Sequence, residues 1–134
     1  MASLTNAENI YDQAGGTRAE NIYVELCCKT NFSFLTGAST PRELVDRAYS
    51  LGMPALAITD DNGVYGIPKA YSATKNLENF KLITGAEITI SGLGQVKLLA
   101  KNRSGYGLLC RILTAAHAGK PKAIAFLSPQ ELTQ

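Results

Sequence analysis

The stretch from Tyr23 to Gly66 limits the fold more than any other part of the chain, because it spells strand, polar loop, capped helix, strand and polar loop in that order. Ile22 to Cys28 is mostly apolar and rich in β-favouring residues, as expected of a strand buried on both faces. Thr40-Pro41-Arg42-Glu43 then carries three agreeing helix-start signals: a hydroxyl at the N-cap, proline at the first helical position, and glutamate placed to close a capping box. Leu44, Val45, Ala48 and Leu51 fall on one face of that helix, and Gly52 supplies a left-handed cap. Ala55 to Ile58 is a short apolar strand that ends in the turn-forming run Thr59-Asp60-Asp61-Asn62-Gly63. Strands joined this way pair in parallel through a right-handed crossover. In such folds ligands gather at the carboxyl edge, where both loops emerge.

Further along, Pro68 opens a second helix that runs to Leu77. Leu82 to Thr84 and Glu87 to Ser91 read as a strand broken at Gly85, and Gln95 to Ala100 returns after the Gly92-Leu93-Gly94 turn, which predicts a hairpin. Ser104 is placed to cap a third helix with the stripe Leu108, Leu109, Ile112, Leu113 and Ala116, ended by Gly119 and Pro121. Ala123 to Leu127 is a further short strand, and Ser128-Pro129-Gln130-Glu131 is another helix start. With so little sequence behind that start, residues 22–134 read as the first part of a larger domain.

Residues 1–21 hold few large apolar side chains and read as a flexible leader. Within it, Ala7-Glu8-Asn9-Ile10-Tyr11 recurs as Ala19-Glu20-Asn21-Ile22-Tyr23. Two copies are too few for a solenoid. They read as a local duplication, with the alternative that the first copy competes for the second copy's place in the sheet.

Composition narrows the class. A chain of 134 residues, 46% hydrophobic and 18% charged, supports one core and not two domains. Thirteen basic against eleven acidic residues give a net charge of +2 with no basic run, which argues against independent nucleic-acid binding. No apolar run is long enough to cross a bilayer and no secretory signal opens the sequence, so a cytoplasmic protein is expected. Cys27, Cys28 and Cys110 make an odd set without framework spacing, as expected for reduced thiols.

Several segments carry a resemblance. Glu25-Leu26-Cys27-Cys28-Lys29-Thr30-Asn31-Phe32-Ser33-Phe34-Leu35-Thr36-Gly37-Ala38-Ser39 resembles the first motif of the PHP (polymerase and histidinol phosphatase) domain, in the form that begins bacterial C-family DNA polymerase III alpha subunits, the error-prone type especially. Leu51-Gly52-Met53-Pro54-Ala55-Leu56-Ala57-Ile58-Thr59-Asp60 is similar to its second motif, and Gly85-Ala86-Glu87, Leu98 to Arg103 and Gly105 to Arg111 continue the likeness. The resemblance implies an α/β fold, the first part of a distorted (β/α)7 barrel with parallel strands, crossover helices and one hairpin.

It also implies a cluster of divalent metals that activates water for phosphoester hydrolysis. That requires neutral imidazoles and carboxylates at close range. At the family's positions this chain has Cys27 and Lys29 for the two histidines of the first strand, Thr36 for an aspartate, and Asp61 for the histidine after Thr59-Asp60; Glu87 keeps the expected residue. The only histidine, His117, lies outside every ligand motif, near a predicted helix end, where it is expected to meet the last carbonyls.

Cys27, Asp61 and Glu87 are therefore the remaining candidate metal ligands, with Lys29 and Thr36 standing where ligands are expected. Against ligation, Cys27 reads first as a small apolar strand residue, Cys28 belongs to the opposite face and the core, and Asp60 and Asp61 read first as an ordinary turn. Lys29 is expected to stand in for the lost metal charge by pairing with Glu87 or Asp61, the alternative being that it points to solvent. The functional expectation is a non-catalytic PHP-like module without a cofactor, structural or partner-binding in DNA replication and repair. Its partners would be polymerase components or the rest of the domain, and pairing of exposed strand edges would give a homodimer. The alternative is a phosphoesterase using zinc or manganese at a degenerate site.

Overall fold

The computed structural model describes residues 23–122 and 124–131; the leader expected over residues 1–21 lies outside them. Strand β1 (Glu25–Cys28), helix α1 (Pro41–Ser50), strand β2 (Ala55–Asp61), helix α2 (Ile67–Thr74), strands β3 (Lys81–Ile90) and β4 (Gly94–Leu99) and helix α3 (Arg103–His117) follow in order. The strands form one sheet in the order β1-β2-β3-β4. β1 and β3 flank β2 in parallel, and β4 closes an antiparallel hairpin on β3. This is the expected α/β half-barrel with two crossovers and one hairpin.

Register explains how the layers divide. Leu56 and Ile58 pack against Val45 and Ala48 of α1 and Ala70 of α2. Their partners in β3 are Leu82 and Thr84, so the period of two puts Ala86 and Ile88 on that same face. There they meet Leu109, Leu113 and Ala116 of α3. All three helices thus cover one face of the sheet. The opposite face carries Thr59, Asp61, Gly85, Glu87, Lys97 and Leu99, aligned by Thr59↔Gly85↔Leu99 and Asp61↔Glu87↔Lys97.

Local chemistry sets the element ends. Thr40 and Glu43 form the capping box in full, with the Glu43 amide donating to the Thr40 hydroxyl and the Thr40 amide to Glu43 Oε2 at 2.8 Å. Gly52 follows at φ +74°. Thr40→Ala should lower stability by about 1 kcal/mol, measurable by urea denaturation; an unchanged midpoint would show that the box does not hold α1.

Four expectations are corrected. β1 is an edge strand with Leu26 and Cys27 exposed, not a strand buried on both faces. Leu51 and Leu108 point to solvent instead of joining their helix stripes. α3 is capped by Asn102, whose side chain accepts from the Gly105 amide at 2.9 Å, so it starts before Ser104. β3 runs unbroken through Gly85: a Cβ there would lie 2.6 Å from Leu99 Cδ2 and 2.8 Å from Thr59 Cγ2. The glycine lets β4 and β2 close over β3 on the face away from the helices.

Candidate functional site

Because β2 and β3 run in parallel, Asp61 and Glu87 end side by side at the carboxyl edge. Lys29, the first residue after β1, extends its ammonium between them and donates to Asp61 Oδ1 and Glu87 Oε1, each at 2.6 Å. The second Glu87 oxygen is taken by Lys97, brought opposite by the hairpin. Thr36 donates its hydroxyl to Asp61 Oδ2 at 2.9 Å. Glu87 is only 3% exposed and Lys29 20%, while Asp61 and Lys97 are 27% and 37% exposed, so two ammoniums and two carboxylates form a charge-balanced cluster around the buried Glu87.

Burial pushes the Glu87 and Asp61 carboxyls up, yet hydrogen bonds and positive charge from Lys29, helped by Lys97 on Glu87 and Thr36 on Asp61, hold both below their ordinary values. Burial likewise opposes the charge on Lys29, and the two carboxylates outweigh it and hold the ammonium above its ordinary range.

A second network lies beside the first. Asp60 faces the other way and is buried at 1% exposure. Its Oδ1 accepts from the Thr30 amide at 2.8 Å and the Ser33 hydroxyl at 2.7 Å, its Oδ2 accepts from the Gly66 amide at 3.2 Å, and the Thr30 hydroxyl lies 2.9 Å from both oxygens. Ser33 Oγ in turn accepts from the Asp61 amide. One carboxylate thereby fastens the loop after β1 to the loop after β2.

Lys29 pairs with both of the carboxylates offered to it as alternatives and does not point to solvent. Asp60 and Asp61 are the last residues of β2, not turn residues, and part to opposite faces. Cys27 is an exposed free thiol on β1, while Cys28 packs against the core. Among the described residues no group of three or more His, Cys, Asp or Glu side chains is placed to hold a metal ion. His117 Nε2 donates to the backbone oxygen of Asn62 at 2.8 Å, clamping α3 to the turn after β2 instead of serving its own helix end. Two functional residues were missed by sequence reasoning: Lys97, which the Gly92–Gly94 turn places opposite Glu87 once the register is known, and Asp60 as the loop hub.

The metal cluster implied by the resemblance does not fit this donor set. A divalent ion needs open lone pairs, and here both oxygens of Glu87 and the inward oxygen of Asp61 already hold ammonium groups.

Fold and site together define an α/β half-barrel with a polar centre at the carboxyl edge of parallel strands. The same architecture recurs in a crystal structure from Bifidobacterium adolescentis described as a metal-dependent phosphoesterase, with TM-score 0.51 and 28% identity over 72% of this chain and 35% of that one. The chain belongs to the PHP domain family, which it matches over residues 25–132. It is 50% identical over 103 residues to the error-prone DNA polymerase of Anaeromyxobacter sp. (strain K) and 36% identical over 120 residues to that of Bdellovibrio bacteriovorus. These matches cover 73% and 82% of this chain but 9% and 11% of the polymerases, so the chain spans about a tenth of the length of these relatives.

Proposed function

We propose that the chain is a PHP-type module without hydrolytic activity of its own, with a structural or partner-binding role in cytoplasmic DNA replication or repair beside polymerase components. The observation that carries this reading is the Lys29 ammonium, 2.6 Å from both Asp61 and Glu87. A fixed cation repels a divalent ion and compensates the same carboxylates, so the pocket persists as a structural ion cluster. The test is metal analysis of the purified chain after incubation with manganese or zinc, together with hydrolysis of a phosphodiester and of pyrophosphate. Substoichiometric metal and no turnover are expected.

A second reading is supported by the likeness to the protein described as a metal-dependent phosphoesterase and by the retention of Glu87. In it, Cys27, Asp61 and Glu87 hold zinc or manganese with groups from another chain. Stoichiometric metal and a hydrolysis abolished by Glu87→Gln would replace the first reading with this one.

A further inference from the structure

The turn after β2 holds a chemically labile pair that its own geometry selects. Asn62 is the only one of eight asparagines in the chain that is followed by glycine. Its backbone stands at φ +46°, a left-handed conformation that asparagine tolerates better than most side chains. Gly63 lets the Tyr65 ring lie back over the turn, since a Cβ there would run into the ring. An asparagine–glycine pair is prone to cyclise, because no side chain on the glycine hinders its nitrogen. That nitrogen attacks the asparagine side-chain carbonyl carbon, and ammonia leaves with the side-chain nitrogen and the proton of the glycine amide. Water then opens the cyclic imide, so one water is consumed and one ammonia released. Opening at the side-chain carbonyl gives aspartate; opening at the main-chain carbonyl gives isoaspartate, whose main chain runs through Cβ and Cγ and is longer by one methylene.

The fold acts on both ends of this chemistry. The Asn62 side chain is paired with Thr89 of β3, its Oδ1 accepting from the Thr89 amide at 3.0 Å and its Nδ2 donating to the Thr89 hydroxyl at 3.3 Å. Cyclisation takes Nδ2 off Thr89 and folds the side chain back onto its own main chain, so the pairing opposes it. The main chain of the same residue is held as well. Its amide donates to the Glu87 oxygen at 2.7 Å, and its oxygen accepts from His117 Nε2 at 2.8 Å. Asn62 is thus the junction at which the turn meets both β3 and α3. In isoaspartate the route to Gly63 passes through Cγ, the atom that carries the groups now paired with Thr89. The contacts to Thr89 and to His117 then cannot both keep their present geometry.

We infer that Asn62-Gly63 is a site of spontaneous modification, restrained by the pairing of Asn62 with Thr89, and that its isoaspartate product disrupts the junction joining α3 to the turn after β2. The inference does not depend on how the ion cluster is read. The full chain is incubated in warm, mildly alkaline buffer and followed by peptide mass spectrometry that separates aspartate from isoaspartate. Conversion is expected at Asn62 and not at the other asparagines over the same interval. It should be about 10-fold faster in guanidinium chloride than in the folded state, and about 3-fold faster in folded Thr89→Val, as for two lost hydrogen bonds and one. If Thr89→Val does not fold, the comparison of folded with unfolded wild type carries the test. The single histidine supplies the second readout. In the isoaspartate fraction the His117 ring signals in NMR should move further, and the melting temperature fall further, than in Asn62→Asp, which adds the charge without the extra methylene. No conversion of Asn62 when unfolded, equal rates in the folded and unfolded chain, a folded Thr89→Val no faster than wild type, or an isoaspartate fraction that matches Asn62→Asp would overturn the inference.

Discussion

Asp60→Ala should lower stability by about 4 kcal/mol, the largest loss expected from any single substitution at this edge. Its carboxylate is the common acceptor for the Thr30 and Gly66 amides and the Thr30 and Ser33 hydroxyls. A buried donor stripped of its partner costs about 1–3 kcal/mol, and at least three donors lose theirs together. The sum is less than additive because relaxation readmits water to part of the site. Against a typical stability of about 5–15 kcal/mol, the variant should be marginal, with a melting temperature lower by about 15 °C at about 4 °C per kcal/mol. Asp60→Asn, which keeps one acceptor oxygen, should retain part of the loss. Thermal and urea denaturation followed by circular dichroism decide the matter. A loss under about 1 kcal/mol in Asp60→Ala would show that the two loops are held by something other than this carboxylate.

The hub also shows where sequence reading works and where it stops. The capping box of α1 was legible because Thr40 and Glu43 act within one turn of chain and need no partner from elsewhere. The strand–helix–strand order was legible for a similar reason, since parallel pairing of β1 and β2 follows from the crossover alone. Exposure was not legible for β1, because whether a strand is covered on both faces depends on what lies beside it, and Leu26 and Cys27 have the same composition either way. Glycine weakens a strand in isolation, so Gly85 taken alone reads as a break; its neighbours Leu99 and Thr59, brought in by register, turn it into a requirement. Asp60 and Asp61 read together as turn residues in the sequence, whereas extending β2 by those residues sends one to the loop hub and the other to the ion cluster. Lys29 was identifiable as a cation among expected ligands, but Lys97 joins Glu87 only through the hairpin register.

Lys29→Met should cost about 3 kcal/mol at neutral pH, because it leaves Glu87, only 3% exposed, short of one of its two cations and Asp61 without any. The pH dependence separates this cause from lost packing. In the wild type, Asp61 and Glu87 have folded pKa values lowered from 3.8 and 4.5, so their stabilisation is complete above those values and is lost as pH falls through the lower folded ones. Lys29 has a folded pKa raised from 10.5, so its share is complete below 10.5 and is lost as pH rises through the higher folded value. The cluster therefore stabilises the fold evenly across the interval between the carboxylate and ammonium ranges. In Lys29→Met, burial of Glu87 is no longer offset by the more buried of its two cations, its carboxyl pKa moves upward, and protonation relieves the variant where it weakens the wild type. The stability difference should accordingly shrink as pH is lowered through about 4. Lys97→Met, which removes an ammonium that is 37% exposed, should have a smaller effect because solvent already screens that charge. Urea denaturation across the acid range, with the Glu87 carboxyl followed by NMR, measures both quantities. Equal stability of wild type and Lys29→Met at neutral pH, or two profiles that stay parallel into acid, would mean that the ammonium does not compensate the buried carboxylates.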